Sequence, residues 1–160
     1  MFSQVGNRPA GKKRAYWGLG RGSARRQVAS AAFLPMMTTS RNDKFSASRD
    51  FALNRPDSLN AFNAELHTEF PQAIAAVAQE SESDVIVLTG NGRAFSAGGD
   101  LAWQQDAADN PESFEVTVRE AKQIVFGILD CEKPIIAKIN GPAVGLGATI
   151  ALLCDISFIA

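Results

Sequence analysis

Two glycine-rich turns, each preceded by a short apolar run, constrain the fold of this chain more than any other feature. The first turn, residues 95–101, has the sequence FSAGGDL, and the second, residues 140–147, has the sequence NGPAVGLG. This layout is typical of a strand that ends where backbone N–H groups point at a ligand. Two such turns can hold one carbonyl oxygen between two main-chain donors while negative charge builds on it. The alternative is that the glycines merely make tight turns between strand and helix.

The apolar runs beside these turns predict an α/β fold with a parallel sheet. Residues 84–89 and 134–139 are rich in β-branched side chains, and we expect both to be strands buried on two faces. Between them, Asn110 is predicted to cap a helix that Pro111 opens, so that strand, helix and strand form a crossover unit. We also expect a buried helix and then a final strand, over residues 148–153 and 156–159.

The segment before the first turn predicts one strand and one helix. Apolar residues alternate with polar ones over 45–53, which indicates a half-buried strand. Asn60 is then expected to cap a helix whose apolar positions recur at helical spacing over 62–77. Pro71 lies inside this pattern and is expected to kink or split the helix. His67 is expected on the exposed side of that helix, as an ordinary surface residue.

Charge is strongly segregated along the chain. Residues 1–42 hold eight Lys and Arg and no Asp or Glu, whereas residues 43–160 hold 8 basic and 17 acidic residues. Three interpretations of the basic segment remain open: a disordered extension, an Arg- and Ser-rich transit peptide, or a nucleic-acid-binding arm. We predict that residues 1–42 form an extension and that residues 43–160 form one incomplete domain.

Cysteine and histidine spacing argues against a metal site or a disulfide framework. Cys131 and Cys154 form no CxxC pattern and His67 is the only histidine, so reduced, packed thiols are expected. No apolar run approaches the roughly 18 residues of a transmembrane helix. We therefore expect no membrane partner and a cytoplasmic location, or the mitochondrial matrix if residues 1–40 are a transit peptide.

Four blocks, residues 53–61, 87–90, 94–101 and 133–155, closely resemble the enoyl-CoA hydratase/isomerase (crotonase) family in sequence, order and spacing. The resemblance covers about residues 51–160. It implies an α/β crotonase-like (ClpP/crotonase) core of repeated ββα units, truncated here at the carboxyl end. It also implies an acyl-CoA or enoyl-CoA substrate, with coenzyme A as part of that substrate and no separate cofactor. Trimer-based homo-oligomers of the full-length protein and no nucleic-acid partner are expected as well.

The resemblance assigns the two main-chain donors of an oxyanion hole to Gly99 and Leu146. A thioester enolate needs such donors fixed about 3 Å from the developing oxyanion, and a donor at a helix start adds a favourable dipole. The same resemblance places substrate-binding positions along all four blocks. These positions are Asp57, Ser58, Ala61, Arg93, Ala97, Gly99, Asp100, Leu101, Gly145, Leu146 and Thr149.

Several positions depart from the hydratase pattern. Thr149 stands where family hydratases have the first of two catalytic glutamates, and the second would lie beyond Ala160. A threonine hydroxyl cannot act as a carboxylate base at neutral pH. Asp57 and Ala102 occupy positions where some hydratases have lysine, while Arg93 retains a positive charge, so weak or altered coenzyme A binding is expected.

Other polar residues near the turns are expected to have structural roles. Asp100 is predicted to fix its own turn, and Trp103 to pack in the wall of the site. Solvated helix charges are the interpretation for three further carboxylates, Asp106, Glu112 and Glu115. A dinucleotide-binding fingerprint beginning at Gly145 is disfavoured, because the third glycine and the acidic ribose ligand are both missing.

The function expected from these features is that of an enoyl-CoA hydratase, present here as an amino-terminal fragment. Because acid–base residues rather than the oxyanion hole choose the reaction, an enoyl-CoA isomerase or another branch of the family stays open. A non-catalytic truncated isoform, or a binding or assembly module, is the alternative from a different class.

Overall fold

The computed structural model describes residues 36–41 and 48–160. These residues form a five-stranded sheet of order β1-β2-β3-β4-β5, in which β1 is antiparallel and the other pairs are parallel. The strands are β1 (Met37–Arg41), β2 (Ser48–Leu53), β3 (Val85–Gly90), β4 (Ile135–Ile139) and β5 (Ile156–Ile159). The helices are α1 (Ala64–Ala78), α2 (Leu101–Asp109), α3 (Pro111–Leu129) and α4 (Leu146–Leu153), and a short 3-10 turn spans Pro56–Ser58. The α/β prediction is confirmed.

Strand β1 comes from the segment that the charge pattern assigns to an extension. Met37 pairs with Leu53 across the ladder and is only 2% exposed. The backbone N–H of Met36 donates to Oε2 of Glu69 at 3.3 Å, which ties the strand to helix α1. Residues 36–41 therefore belong to the folded core, and the expected boundary after residue 42 lies too late. The other expectations for this segment fall on residues 1–35 and 42, which lie outside the described residues, as do residues 45–47 of the predicted strand.

Helix α1 begins at a different residue from the one predicted, and it is continuous at Pro71. Its N-cap is Asn63, whose side chain accepts a hydrogen bond from the Leu66 N–H at 3.0 Å, so the expected cap at Asn60 is wrong. The helix runs unbroken through Pro71, so it is not split. Packing explains this tolerance, because Phe70 beside the proline is fully buried and contacts Phe51 and Phe62 at ring-centroid distances of 6.0 and 5.6 Å.

Strands β3 and β4 alternate in burial instead of being covered on both faces. Ile86 and Leu88 are buried in one core with residues of α1 and α3, whereas Val87 between them is half-buried. On β4, Lys138 is exposed between two buried residues. The expectation of two fully covered faces is therefore wrong for the described part of the chain, while the predicted crossover from β3 through α3 to β4 is confirmed.

Strand β5 forms one edge of the sheet and carries exposed apolar side chains. Ile156, Phe158 and Ile159 are 50%, 61% and 80% exposed. Leu152, near the end of α4, is 83% exposed. An extensive apolar surface thus lies at this edge. No helix formed by the described residues combines the length and apolarity that a bilayer crossing requires.

Candidate functional site

The two glycine-rich turns lie side by side at the carboxyl ends of β3 and β4. Ser96 and Ala143 form a parallel bridge between them. The Val144 N–H donates to the Ser96 carbonyl at 2.9 Å, and the N–H groups of Phe95 and Ser96 donate to the Pro142 carbonyl at 3.0 and 3.1 Å. Because parallel strands end at the same sheet edge, two segments far apart in sequence come together here.

Glycines leave the space that lets these two turns approach each other closely. Gly98 and Gly145 both have positive φ, 90° and 51°, which glycine adopts readily. A β-carbon on Gly98 would lie 2.7 Å from the Val144 carbonyl oxygen, and one on Gly147 would lie 2.6 Å from Cβ of Ser96. These glycines therefore do more than reverse the chain direction within each turn, because they let the two backbones touch.

Within residues 36–41 and 48–160, the backbone N–H of Gly99 is a free donor. Its neighbours are used in a bridge with Phe62: the Phe62 N–H donates to the Gly98 carbonyl at 2.7 Å, and the Asp100 N–H donates to the Phe62 carbonyl at 2.9 Å. In an extended segment successive N–H groups point in opposite directions, so that of Gly99 points away from Phe62. Among the described residues it has no protein acceptor.

At the start of helix α4 lies a second donor that is free among the residues that the structure describes. Gly145 is its N-cap, without a side-chain cap, and Leu146 is its first residue. The Gly147 N–H donates to the Val144 carbonyl at 2.9 Å and the Thr149 N–H donates to the Gly145 carbonyl at 3.0 Å. The Leu146 N–H makes no such bond within the part of the chain that is described, as is usual in a first helical turn. Its position at the helix N-terminus favours a ligand with negative charge.

The residues that carry the two donors each directly follow one of the touching glycines. A β-carbon on Gly145 would lie 3.7 Å from the Gly98 Cα, and Gly99 and Leu146 come next in the two chains. This arrangement can place two N–H groups around one oxygen atom. Backbone contacts fix the two turns, and donors held in this way would need little reorganisation to stabilise a negative charge on a ligand oxygen.

The buried residue Asn60 fixes the first turn through hydrogen bonds, and sequence reasoning missed this role. Asn60 has a positive φ of 56° and is fully buried. Its Nδ2 donates to the carbonyls of Asn91 and Ala94, each at 2.9 Å, and its Oδ1 accepts from the Arg55 N–H at 2.8 Å. Its own carbonyl accepts from Oγ of Ser96 at 2.8 Å. The residue type could have suggested this role, because asparagine tolerates a left-handed backbone conformation and forms hydrogen bonds to nearby main chain.

Asp100 fixes its own turn, as predicted. Its carboxylate caps α2 by accepting a long hydrogen bond from the Trp103 N–H, at 3.5 Å, and lies 3.4 Å from Nη1 of Arg55. The same guanidinium donates to the Ala61 carbonyl. Arg55 was not singled out from the sequence, yet it connects two expected site residues, Ala61 and Asp100.

The structure brings together only some of the expected substrate-binding positions. Ala97, Gly99, Asp100, Gly145 and Leu146 lie on the touching turns, and Thr149 follows one turn into α4 with its hydroxyl donating to the Gly145 carbonyl at 3.1 Å. Four positions are exposed, and in the described region their side chains form no hydrogen bond or ion pair with either turn: Asp57, Ser58, Arg93 and Leu101. The predicted solvated charges Asp106, Glu112 and Glu115 are all exposed.

His67 is buried, so its expected surface position is wrong. It is 3% exposed because α2 and α3 cover this side of α1, with the Trp103 ring centroid 4.8 Å from that of His67 and Oε2 of Glu120 3.4 Å from Nδ1. Trp103 thus packs against helix α1. Burial lowers the pKa of His67, and the Glu120 carboxylate opposes this effect.

Both cysteines are free thiols, as predicted. Burial, with a smaller contribution from Asp155, raises the pKa of Cys154 to about 12, so this thiol stays protonated at neutral pH. In the described ranges no group of three or more His, Cys, Asp or Glu side chains has the arrangement that a metal ion would need.

Comparison with known proteins places this chain in a family. The model of the Enoyl-CoA hydratase/isomerase family matches residues 49–160. The chain is 36% identical over 105 residues to the 2,3-dehydroadipyl-CoA hydratase of Escherichia coli K12, covering 65% of this chain and 39% of that protein. It is also 36% identical over 106 residues to the 1,2-epoxyphenylacetyl-CoA isomerase of the same organism, covering 65% and 40%.

A solved structure shows the same fold. The enoyl-CoA hydratase/isomerase from Mycobacterium paratuberculosis superposes with a TM-score of 0.72 and 36% identity, covering 78% of this chain and 49% of that one. The chain thus spans about two fifths of the length of these curated relatives and about half of the solved structure. Because the family match extends over residues 49–160, the chain belongs to the enoyl-CoA hydratase/isomerase (crotonase) family.

Proposed function

We propose that this chain binds an acyl-CoA thioester and that the backbone N–H groups of Gly99 and Leu146 hold the thioester oxygen. The observation that carries the proposal is the pair of free donors on two touching turns. Negative charge moves onto that oxygen when the thioester becomes an enolate. Each preorganised donor of this kind is worth about 10²–10³-fold in rate. Coenzyme A enters as part of the substrate.

Enoyl-CoA hydration is the reaction that we propose for a full-length enzyme built on this sequence. The two E. coli relatives are named as a hydratase and an isomerase, and an oxyanion hole can serve either reaction. Family hydratases resemble this chain in the turns but have a glutamate at the position of Thr149. The Thr149 hydroxyl donates to a backbone carbonyl and supplies no carboxylate. Isomerisation of an enoyl-CoA therefore remains the alternative.

Few of the described residues near the two donors can act as a general acid or base. Asp100 is the carboxylate on the first turn, and it is occupied by Arg55 and by the cap of α2. We therefore expect the 160-residue chain to polarise a bound thioester but to hydrate crotonyl-CoA at a negligible rate. Loss of each acid–base group costs about 10²–10⁴-fold. Robust hydration that survives the Thr149→Val substitution would contradict this account.

Infrared spectroscopy tests the carbonyl contact directly and does not depend on turnover. Butyryl-CoA with a ¹³C-labelled thioester carbonyl is added to the purified chain, and the carbonyl stretch of the bound ligand is compared with that of the free ligand. Hydrogen bonds from two N–H groups shift the band to lower wavenumber. The shift should persist in Leu146→Ala, which retains the N–H, and decrease in Leu146→Pro, which removes it.

Two results would overturn the proposed function. One is the absence of butyryl-CoA binding to the folded chain. The other is a carbonyl band that does not move on binding, or that moves equally in Leu146→Ala and Leu146→Pro.

The exposed apolar surface of α4 and β5 supports a second candidate, an assembly module. Leu152 and Ile159 are 83% and 80% exposed, and apolar surface of this extent usually marks an interface. In that case the chain would form homo-oligomers without binding the thioester, and the spectroscopic experiment would give no carbonyl shift. Sedimentation of the same sample measures the oligomeric state.

A further inference from the structure

The carboxamide of Gln104 lies against the backbone of Gly99. A β-carbon at Gly99 would be 2.1 Å from Nε2 and 3.0 Å from Oε1 of Gln104. Gln104 is in the first turn of α2, where its backbone N–H donates to the Asp100 carbonyl at 2.9 Å. The cap of this helix by Asp100 therefore positions Gln104 beside the first donor.

Backbone conformation does not explain the glycine at position 99. Gly99 lacks the positive φ of Gly98 and Gly145, so other residues could adopt its conformation. A glycine at such a position costs conformational entropy on folding. What Gly99 provides is room for the Gln104 side chain, which any larger residue would displace.

Internal hydrogen bonding does not explain the position of Gln104 either. Its side chain is exposed and forms no hydrogen bond with any residue in the described ranges. Holding a long, flexible side chain against the backbone without a partner has an entropic cost. The carboxamide keeps both a donor and an acceptor available for a ligand.

We propose that Gln104 is a specificity residue that recognises a second oxygen on the acyl group, an inference that rests on the proposed function. A carbonyl held by the Gly99 N–H brings its α- and β-carbons within a few bond lengths of this backbone, and so within reach of the carboxamide. A hydroxyl or carbonyl on one of those carbons can pair with Gln104. An unsubstituted chain would cover the carboxamide without pairing it, which disfavours binding. The preferred ligands are therefore acyl-CoA thioesters with an oxygen substituent near the thioester, a class that includes the 3-hydroxyacyl-CoA formed by the proposed hydration.

Calorimetric titration of the 160-residue chain with butyryl-CoA and with 3-hydroxybutyryl-CoA tests this inference. We expect the hydroxylated ligand to bind about tenfold more tightly, as one hydrogen bond to a neutral group would give. In Gln104→Leu the ratio of the two dissociation constants should fall to about one. The matched control is Gln105→Leu, the same exchange at the next residue of α2, where the side chain pairs with Asp109. It should retain the tenfold ratio.

The contact with Gly99 provides a second, independent variant. Gly99→Ala retains the donor N–H, but its methyl group takes the space of the carboxamide, and the flexible Gln104 side chain can swing away without unfolding the helix. This variant should also lose the preference. The double variant should lose no more than either single one, because both remove the same contact.

Each outcome separates the inference from the proposed function on which it rests. If both ligands bind and shift the carbonyl band but bind the wild-type chain equally, the inference is wrong and the proposed function stands. An unchanged preference in Gln104→Leu also overturns the inference. If neither ligand binds, the proposed function fails and the inference fails with it.

Discussion

Nδ1 of His67 lies 3.4 Å from Oε2 of Glu120, between helices α1 and α3. The ring of His67 also faces Trp103 from α2 and the edge of Phe62, at centroid distances of 4.8 and 6.3 Å. Oε1 of Glu120 accepts a hydrogen bond from Oγ1 of Thr68 at 2.8 Å. The imidazole is thus enclosed by two aromatic rings and one carboxylate, and its burial lowers its pKa.

This lowered pKa makes stability depend on pH. The unfolded chain has an ordinary His67 pKa of about 6.5, above that of the folded chain, so the unfolded state binds more protons as pH falls through this value. The free energy of unfolding should therefore decrease on acidification below about pH 6.5. In His67→Gln the free energy of unfolding should depend less steeply on pH, by a slope that corresponds to at most about one bound proton. Urea unfolding at several pH values measures this slope for both proteins. Identical pH profiles of wild type and variant would show that His67 does not contribute.

Gly147 is expected to be intolerant of any side chain. A β-carbon there would lie 2.6 Å from Cβ and 2.7 Å from the carbonyl oxygen of Ser96, so Gly147→Ala overpacks the contact between the turns. We expect a loss of about 1–3 kcal/mol in the free energy of unfolding. The control is Gly127→Ala in α3, where the nearest atom is 4.0 Å away and a gain of about 0.5–1 kcal/mol is expected. Thermal and urea unfolding measure both, and equal effects of the two changes would contradict the close packing.

Proline substitutions test the two donors by kinetics. In a full-length enzyme built on this sequence, Gly99→Pro and Leu146→Pro should each reduce turnover about 10²–10³-fold, the scale of one oxyanion-hole donor. Leu146 is the first residue of α4, where proline is well accepted, so this variant should remain folded. Leu146→Ala retains the N–H and should change turnover much less.

The control for position 99 is Gly99→Ala, which displaces Gln104 just as proline does but retains the N–H. Circular dichroism and thermal melting establish that each variant is folded. A folded Leu146→Pro enzyme with undiminished turnover would mean that the second turn merely connects a strand to a helix.

Cys154 is expected to resist thiol reagents while the chain is folded. Its pKa is raised to about 12, and its Sγ lies 3.2 Å from the Ile150 carbonyl oxygen, to which it donates. In a Cys131→Ser variant, where Cys154 is the remaining cysteine, a disulfide reagent should react about ten- to a hundredfold more slowly than with the unfolded chain. Equal rates in buffer and in urea would show that this thiol is accessible and ordinary.

Local periodicity predicted most of the architecture. The apolar runs and their spacing gave β3, α3, β4, α4 and β5 in the right order, because each of these elements has its own apolar pattern and end signals. The glycine-rich turns were expected to act together, and parallel strands do bring them to one edge. Strand β1 was missed because its short, polar sequence pairs only through contacts that β2 supplies.

The features that were missed depend on contacts distant in sequence. His67 lies beside the apolar stripe of α1, and only the packing of α2 and α3 over it makes it buried. The buried bonds of Asn60 reach residues more than thirty positions away. The approach of Gln104 to Gly99 depends on the direction that α2 takes after its cap, which no local pattern specifies.

The two glycine-rich turns touch where the Val144 N–H donates to the Ser96 carbonyl and where Gly98 lies against Gly145. These contacts are made by main-chain atoms and glycine. In the proposed function, the thioester oxygen is therefore held by main-chain groups and not by the side chains that line the site. Exchanges at positions such as Thr149 can alter which proton moves, or whether any moves, without disturbing the two donors. Under this proposal, single side-chain substitutions can change the reaction while the two main-chain donors of Gly99 and Leu146 stay in place.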